Sequence, residues 1–285
     1  MQSDSFLITP MNQRFSLEPG QVYHGSIKVA NPSSSTRDFK FEASVSPYSV
    51  IGNDYAVNLS EKSDRTMMAD WITIDTPSGS LAPNETKNIE FTITVPETAP
   101  GGSQYAAIIV SQNEEDKKSS GVNVDNVLEM ASLIYADVDG DIIREGHIIS
   151  NDVPGFSTVT PVVVSATFDN TGNVHNEAVI ALTVTNAITG ETIFPEAGND
   201  NQFSELVLPD TTRTVTRNIE NLPALGVVNI EQTLYYNGVT STEAKNLIIC
   251  PIWFMLSVIA ALAIIVGVII HLIRKARKRK TAAAV

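Results

Sequence analysis

The chain has 285 residues, of which 32 are acidic and 19 are basic. All the acidic residues and 13 of the basic residues lie within residues 1–246, so this part carries a net charge of −19. A charge of this size and sign argues against nucleic acid as its partner and against direct adhesion to anionic lipid. The one cysteine is Cys250, so nothing before it can form a disulfide, and the core must hold this part of the chain together alone.

Residues 1–140 show apolar side chains at every second position, which predicts β-strands with one buried and one solvated face. The clearest segments are 23–29, 37–45 and 87–95, with Phe41 near the middle of a buried face. Further segments predict a central strand over Tyr105–Val110, a long strand over Val127–Val138, an irregular excursion over Tyr48–Thr66 and an exposed loop over Asn113–Asn126.

Residues 141–246 repeat this organisation with short, regularly spaced strands. The alternation predicts strands near 162–168, 180–184, 206–208, 212–219 and 228–236. The predicted fold class is therefore all-β, with two tandem immunoglobulin-like β-sandwich domains over 1–140 and 141–246, followed by one transmembrane α-helix. The absence of a Cys…Trp…Cys pattern argues against antibody-type domains.

The segment 252–270 contains no charged residue and predicts a membrane-spanning helix. We place the helix at 247–273 and a basic cytoplasmic tail at 274–285, because cations cluster on the inner side of a span. The residues that carry this interpretation are Ile252, Trp253, Ile270, Arg274, Lys275, Arg277, Lys278, Arg279 and Lys280.

This topology puts residues 1–246 outside a plasma membrane, and a signal peptide is then expected to have been removed or omitted. A tail-anchored cytosolic protein is the alternative, but that arrangement would translocate six cations.

Several segments resemble the WxL-interacting surface proteins of bacteria. The similar segments include FLITP at 6–10, FSLEPG at 15–20, PGGSQY at 100–105 and NTGNVH at 170–175. The resemblance implies a first domain that associates with peptidoglycan and a second domain that meets other proteins or a host surface. The shared positions are mainly turn residues, so no binding residue is carried over.

Catalytic and metal-binding motifs are sparse. Asp137, Asp139 and Asp141 are the best candidates for a cation site, but their spacing around Gly140 does not follow the EF-hand pattern. None of the four histidines has metal-ligand spacing, and no GxSxG or phosphate-binding loop is present. The sequence predicts neither an enzyme nor a cofactor.

Three functional hypotheses remain. The first is a non-enzymatic, membrane-anchored surface protein that binds a cell-wall polymer such as peptidoglycan or envelope proteins and contributes to envelope organisation or adhesion. The second is an assembly accessory or chaperone-like protein that pairs a sheet edge with a partner strand. The third is an enzyme whose site is assembled from scattered carboxylates.

Overall fold

The structure is a computed structural model that describes residues 6–32, 35, 38–112, 128–195 and 200–282, with the backbone alone for 275–282. These residues form twenty β-strands, one short 3-10 helix and one α-helix. The chain divides into two compact units. Unit 1 comprises Met1–His147, Phe168–Glu177 and Leu206–Thr214, and unit 2 comprises Ile148–Thr167, Ala178–Glu205 and Val215–Val285.

The strands of the first half are β1 (Leu7–Thr9), β2 (Asn12–Leu17), β3 (Val22–Ala30), β4 (Phe39–Pro47), β5 (Ser49–Ile51), β6 (Ala56–Asn58), β7 (Ile72–Ile74), β8 (Ser78–Leu81), β9 (Thr86–Thr94), β10 (Gly102–Gln112) and β11 (Glu129–Val138), with the 3-10 helix at Met67–Asp70. Four strands form sheet A, in the order β1-β3-β9-β7, and five form sheet B, in the order β2-β11-β10-β4-β8. The β2–β11 pairing is parallel, whereas β10 pairs antiparallel with both of its neighbours.

The core of unit 1 lies between sheets A and B. Phe41 and Ala43 of β4 are buried there with Ile89 and Phe91 of β9, while the alternate residue Lys40 is exposed. This is the face assignment that the alternation predicted, and it is confirmed. Burying a side chain of the size of Phe41 or Ile89 stabilises a fold by about 1.5–3 kcal/mol.

Strand β10 is the most buried strand of unit 1, as its unbroken apolar sequence predicted. Ala106, Ile108 and Val110 face the core between the sheets, whereas Tyr105 and Ala107 belong to a second apolar cluster on the outer face of sheet B. The predicted irregular excursion 48–66 contains the small β5–β6 hairpin and no longer strand. The predicted loop 113–126 lies outside the described residues.

The remaining strands are β12 (His147–Asp152), β13 (Phe156–Ser157), β14 (Val162–Asn170), β15 (Asn176–Asn186), β16 (Thr192–Phe194), β17 (Gln202–Val207), β18 (Thr211–Ile219), β19 (Gly226–Tyr236) and β20 (Val239–Ile249). They form a sheet β12-β14-β18 and a larger sheet β13-β20-β19-β15-β16, in which β17 also pairs with β15. Val164, Leu182, Ile219, Ile230 and Leu247 are buried in the core of unit 2, so residues from both sheets meet there. The predicted all-β fold class, two sandwiches followed by one apolar helix, is confirmed.

Strand β20 and the helix start differ from the sequence-based expectation. Leu247 and Ile249, which hydropathy grouped with the membrane span, are buried as the last residues of β20. The α-helix α1 begins after Cys250 and Pro251 and runs over Ile252–Ala282. The expected domain boundary near residue 140 and the expected removal of a signal peptide stay predictions.

Candidate protein-interaction surface

Ser103, Asp137 and His175 meet in unit 1, although they are far apart in the sequence. The Oγ atom of Ser103 donates to Asp137 Oδ1, and it lies 3.0 Å from His175 Nδ1. The same ring nitrogen lies 3.4 Å from Asp137 Oδ1, and the backbone N–H of His175 donates to Ser103 Oγ over 3.0 Å.

This geometry differs from that of a hydrolytic triad. In a triad the histidine uses one ring nitrogen for the carboxylate and the other for the serine, so that a proton can pass across the ring. Here both partners approach Nδ1, and Ser103 is fully buried. The arrangement instead fixes the loop that carries His175 against sheet B through a hydrogen-bond network.

The ionisation of His175 follows from its burial. Desolvation lowers the pKa of His175 below its usual value, although the Asp137 carboxylate acts in the opposite direction. The neutral ring is therefore the dominant form at pH 7, and Nδ1–H is the favoured tautomer because the atoms that face Nδ1 are acceptors.

Three tyrosines pack edge to face on the outer side of sheet B. The ring centroids of Tyr48, Tyr105 and Tyr135 lie 5.6–6.3 Å apart. Burial raises the pKa of Tyr48 and of Tyr105 well above the usual value, so both hydroxyls are neutral at pH 7. Because the Tyr48 and Tyr105 rings are almost fully buried, they offer no open face on which a sugar ring could stack.

The excursion 48–66 and the segment Leu206–Thr214 are joined by polar contacts around Tyr55. The Tyr55 hydroxyl accepts from the backbone N–H of Leu208 over 2.9 Å and hydrogen bonds Thr211 Oγ1, while the Arg213 guanidinium lies 4.5 Å from the Tyr55 ring centroid. Arg65 Nε donates to Asp210 Oδ2 over 3.3 Å. These contacts stabilise the local fold.

A pocket of about 360 Å³ lies in the same region of unit 1. Tyr48, Arg65 and Asp210 line it, together with the buried hydroxyls of Ser49 and Tyr105, which have no hydrogen bond of good geometry among the described residues. The pocket itself is open, but the oxygen atoms of these two hydroxyls are buried in its wall.

The structure does not bring the three predicted cation-binding carboxylates together. Asp137 accepts from Ser103, Asp139 accepts from the backbone N–H of Gly140 over 3.0 Å, and only these two aspartates line a common pocket. Within the described ranges no three His, Cys, Asp or Glu side chains lie close enough to hold a metal ion.

Strand β2 forms one edge of sheet B. Its six residues pair with β11 on one side, and no second strand covers the other side in the part of the chain that the structure describes. The carbonyls of Met11 and Leu17 accept from β11 and its continuation, which shows that odd-numbered residues direct their backbone toward β11. In a parallel ladder the N–H and C=O of one residue point the same way, so those of Asn12, Arg14 and Ser16 point outward.

The free edge of β2 is exposed and carries little protection. Asn12, Arg14 and Ser16 are exposed, and Arg14 is the single charge on the strand. Natural proteins cover edges or place charges, bulges or prolines on them, because an open edge templates pairing with another chain. The other edge strands of unit 1, β1, β7 and β8, have only three or four residues each.

The predicted anchor residues fall on α1. Within the described residues this is the one helix long and apolar enough to cross a membrane, over Ile252–Arg274 with a mean hydropathy of 2.9. Ile252, Trp253 and Ile270 lie exposed on it, and Arg274 follows in the same helix. Lys275, Arg277, Lys278, Arg279 and Lys280 continue the helical backbone.

No family model matches the chain, and no curated protein matches it. Among solved structures it is similar to the class 5 fimbriae chaperone CfaA, with 13% identity, a TM-score of 0.42 and coverage of 85% of this chain and 99% of that one. It is also similar to a structure of the Salmonella enterica SafA pilin with the SafB chaperone (12% identity, TM-score 0.40, 87% and 98% coverage) and to the E. coli chaperone DraB (14%, 0.38, 85% and 96%). At these identities and TM-scores the similarity carries no statement about the function of this chain.

Proposed function

We propose that this chain is a membrane-anchored, non-enzymatic binding protein that captures partner proteins by adding a partner strand to the free edge of β2. The observation that carries the proposal is the open edge at Asn12, Arg14 and Ser16, where three N–H and three C=O groups point away from sheet B. Strand addition uses such groups for affinity and alternate side-chain contacts for specificity.

The anchor supports this role because it tethers the chain that carries the edge to the membrane. A partner of the same membrane then meets β2 at a high effective concentration. We further propose that residues 1–246 lie outside a plasma membrane and that the basic end of α1 lies inside, as the six cations indicate.

Binding to peptidoglycan, which the WxL-interacting resemblance implies, stays a prediction. The −19 charge of residues 1–246 argues against ionic attraction to an anionic polymer, and the buried tyrosines offer no stacking platform. Strand pairing needs neither, so we favour it over polymer binding.

The test uses a proline at the free edge. Arg14→Pro removes an outward N–H, which β11 does not use, and proline is tolerated at edge positions whose N–H faces solvent. Arg14→Ala is the matched control, because it removes the charge and keeps the backbone donor. Full-length detergent-solubilised protein is immobilised and exposed to isolated envelope fractions, and both bound proteins and bound muropeptides are quantified.

We expect Arg14→Pro to lose bound protein by about tenfold, which corresponds to about 1.4 kcal/mol, while Arg14→Ala retains it. Equal retention by the two variants would show that the β2 edge is not the binding surface. Recovery of muropeptides without a bound protein would favour the polymer-binding function instead.

A further inference from the structure

One end of the larger sheet of unit 2 displays exposed apolar side chains on three neighbouring loops. Strand β13 is parallel to β20, β19 is antiparallel to β20, and β15 is antiparallel to β19, so β13, β20 and β15 all end where β19 begins. Val159 follows β13 and is 65% exposed, Ile188 follows β15 and is 83% exposed, and Leu225 precedes β19 and is 42% exposed.

The outer face of the same end is also apolar. Phe156 of β13 lies directly beside Ile248 of β20, and the two side chains are 53% and 49% exposed. On the other side of Ile248 lies Val227 of β19. The face therefore continues the apolar character of the three loop tips; we call Phe156, Val159, Ile188, Leu225 and Ile248 the sheet-end patch.

Few charged residues occur in the segments that form this end; the exposed Glu191 and Glu220 lie in the loops that carry Ile188 and Leu225. The ranges 153–168, 178–190, 221–230 and 246–270 contain no Asp, Glu, Lys or Arg, in a chain that is 18% charged. An exposed apolar surface with few charges is typical of a contact with another protein or with a membrane.

The covalent junction with α1 limits how far the patch can lie from the start of the helix. Gly226 pairs with Ile249, so Leu225 lies level with Cys250, and only Cys250 and Pro251 separate β20 from Ile252. Two residues of extended chain span about 7 Å at most. The interfacial layer of a bilayer is about 5–8 Å thick on each side, so a loop tip level with Cys250 can reach it.

The backbone around Ile188, the most exposed residue of the sheet-end patch, is held in one conformation by hydrogen bonds. The Asn186 side-chain oxygen accepts from the backbone N–H groups of Ile188 and Thr189, over 2.9 and 3.1 Å, and Gly190 N–H donates to the Asn186 carbonyl. Ile188 is thus held outward by a closed turn.

We propose that the sheet-end patch inserts into the headgroup–acyl boundary of the bilayer that α1 crosses, so that unit 2 rests on the lipid through a second, peripheral contact. This inference rests on the proposed membrane span. Apolar side chains bind the boundary region in proportion to their buried area, and the sheet-end patch carries no cation that would require anionic lipid. The occupant is thus a lipid surface, and a second copy of the chain is the alternative that the experiment separates.

The experiment measures the depth of spin labels in full-length protein carrying Cys250→Ser, reconstituted in phosphatidylcholine nanodiscs. Labels are attached after Ile188→Cys, Leu225→Cys, Val239→Cys or Ala260→Cys, and collision with oxygen and with a water-soluble nickel chelate is compared. Val239 is the matched control, because it is 51% exposed at the opposite end of β20. At about 3.4 Å per residue it lies about 34 Å from Ile249 along the strand.

We expect the labels at 188 and 225 to show an oxygen-to-nickel ratio several times that of the label at 239, and the label at 260 to show the highest ratio. If 188 and 225 match 239 while 260 reports lipid, the patch faces water and the inference is wrong although the span stands. If 260 also reports water, the membrane span itself fails. Spin–spin broadening at 188 that disappears on dilution with unlabelled chain would show a contact between copies and would overturn the lipid assignment.

Discussion

Gly25→Ala is a substitution whose effect on the free energy of unfolding follows directly from a distance in the structure. Gly25 of β3 pairs with Phe91 of β9, and a Cβ atom at Gly25 would lie 2.4 Å from Phe91 Cζ. Ordinary carbon–carbon contact is about 3.5–4.0 Å, so the ring must move by more than 1 Å. Phe91 is 1% exposed in a packed core, so it has no free space to move into.

Overpacking of this kind costs about 1–3 kcal/mol, which for a unit of this size corresponds to a fall in Tm of about 2–12 °C. The transition of unit 1 is followed by the fluorescence of Trp71, which is buried in the same core. His24→Ala is the control, because His24 lies on the solvated face of the same strand and should change stability by less than about 0.5 kcal/mol.

The decisive comparison is the double variant Gly25→Ala with Phe91→Leu. A smaller side chain at 91 makes room for the new methyl group, so the two substitutions together should cost less than the sum of their separate costs by about 1 kcal/mol or more. If Gly25→Ala is as mild as His24→Ala, or if the double variant is additive, the close contact between Gly25 and the Phe91 ring is not what excludes a side chain there.

Three further predictions address ionisation, the core and topology. Burial lowers the pKa of His175, so the unfolded chain binds more protons than the folded chain in mildly acidic solution. The free energy of unfolding of unit 1 should therefore fall as the pH drops below about 6.5. His175→Asn should remove the part of this pH dependence that His175 causes, as measured by urea titrations between pH 7.5 and 5.5. Phe41→Asp should abolish the cooperative transition of unit 1, because it buries an unpaired carboxylate, whereas Lys40→Asp on the exposed face should be nearly silent in the same assay. Protease added to intact cells should digest residues 1–246 and spare an epitope placed after residue 285; digestion of that epitope would reverse the proposed topology.

The strands with one solvated and one buried face could be predicted because apolar and polar residues alternate along their sequences. The segment around Phe41 and the unbroken apolar run of β10 are examples, and both lie where the pattern placed them. Strand β20 was missed because its alternation is polar and weak over Val239–Asn246. The Asn237-Gly238 pair before it, with both residues at positive φ, was the available signal, since this pair is the preferred two-residue turn of a hairpin.

The candidate sites depend on which strands become neighbours, and local patterns do not contain that information. Ser103 and His175 are 72 residues apart, and their contact arises only once β10 and the Asn170–Asn176 turn are in place. The free edge of β2 likewise follows from the pairing of β2 with β11 rather than from any motif. The aspartates at 137, 139 and 141 show the converse, because closeness in sequence did not make them a common site.

The parallel pairing of β2 with β11 also has a kinetic consequence. Asn12 pairs with Leu133, so the chain must close a loop of about 120 residues before this ladder forms, whereas β19 and β20 are joined by a two-residue turn and form a hairpin within about 1–10 μs. We therefore expect β2 to be the last strand to join sheet B. Leu17→Ala should then accelerate unfolding and leave the folding rate nearly unchanged, so β2 governs how long unit 1 stays folded rather than how fast it folds.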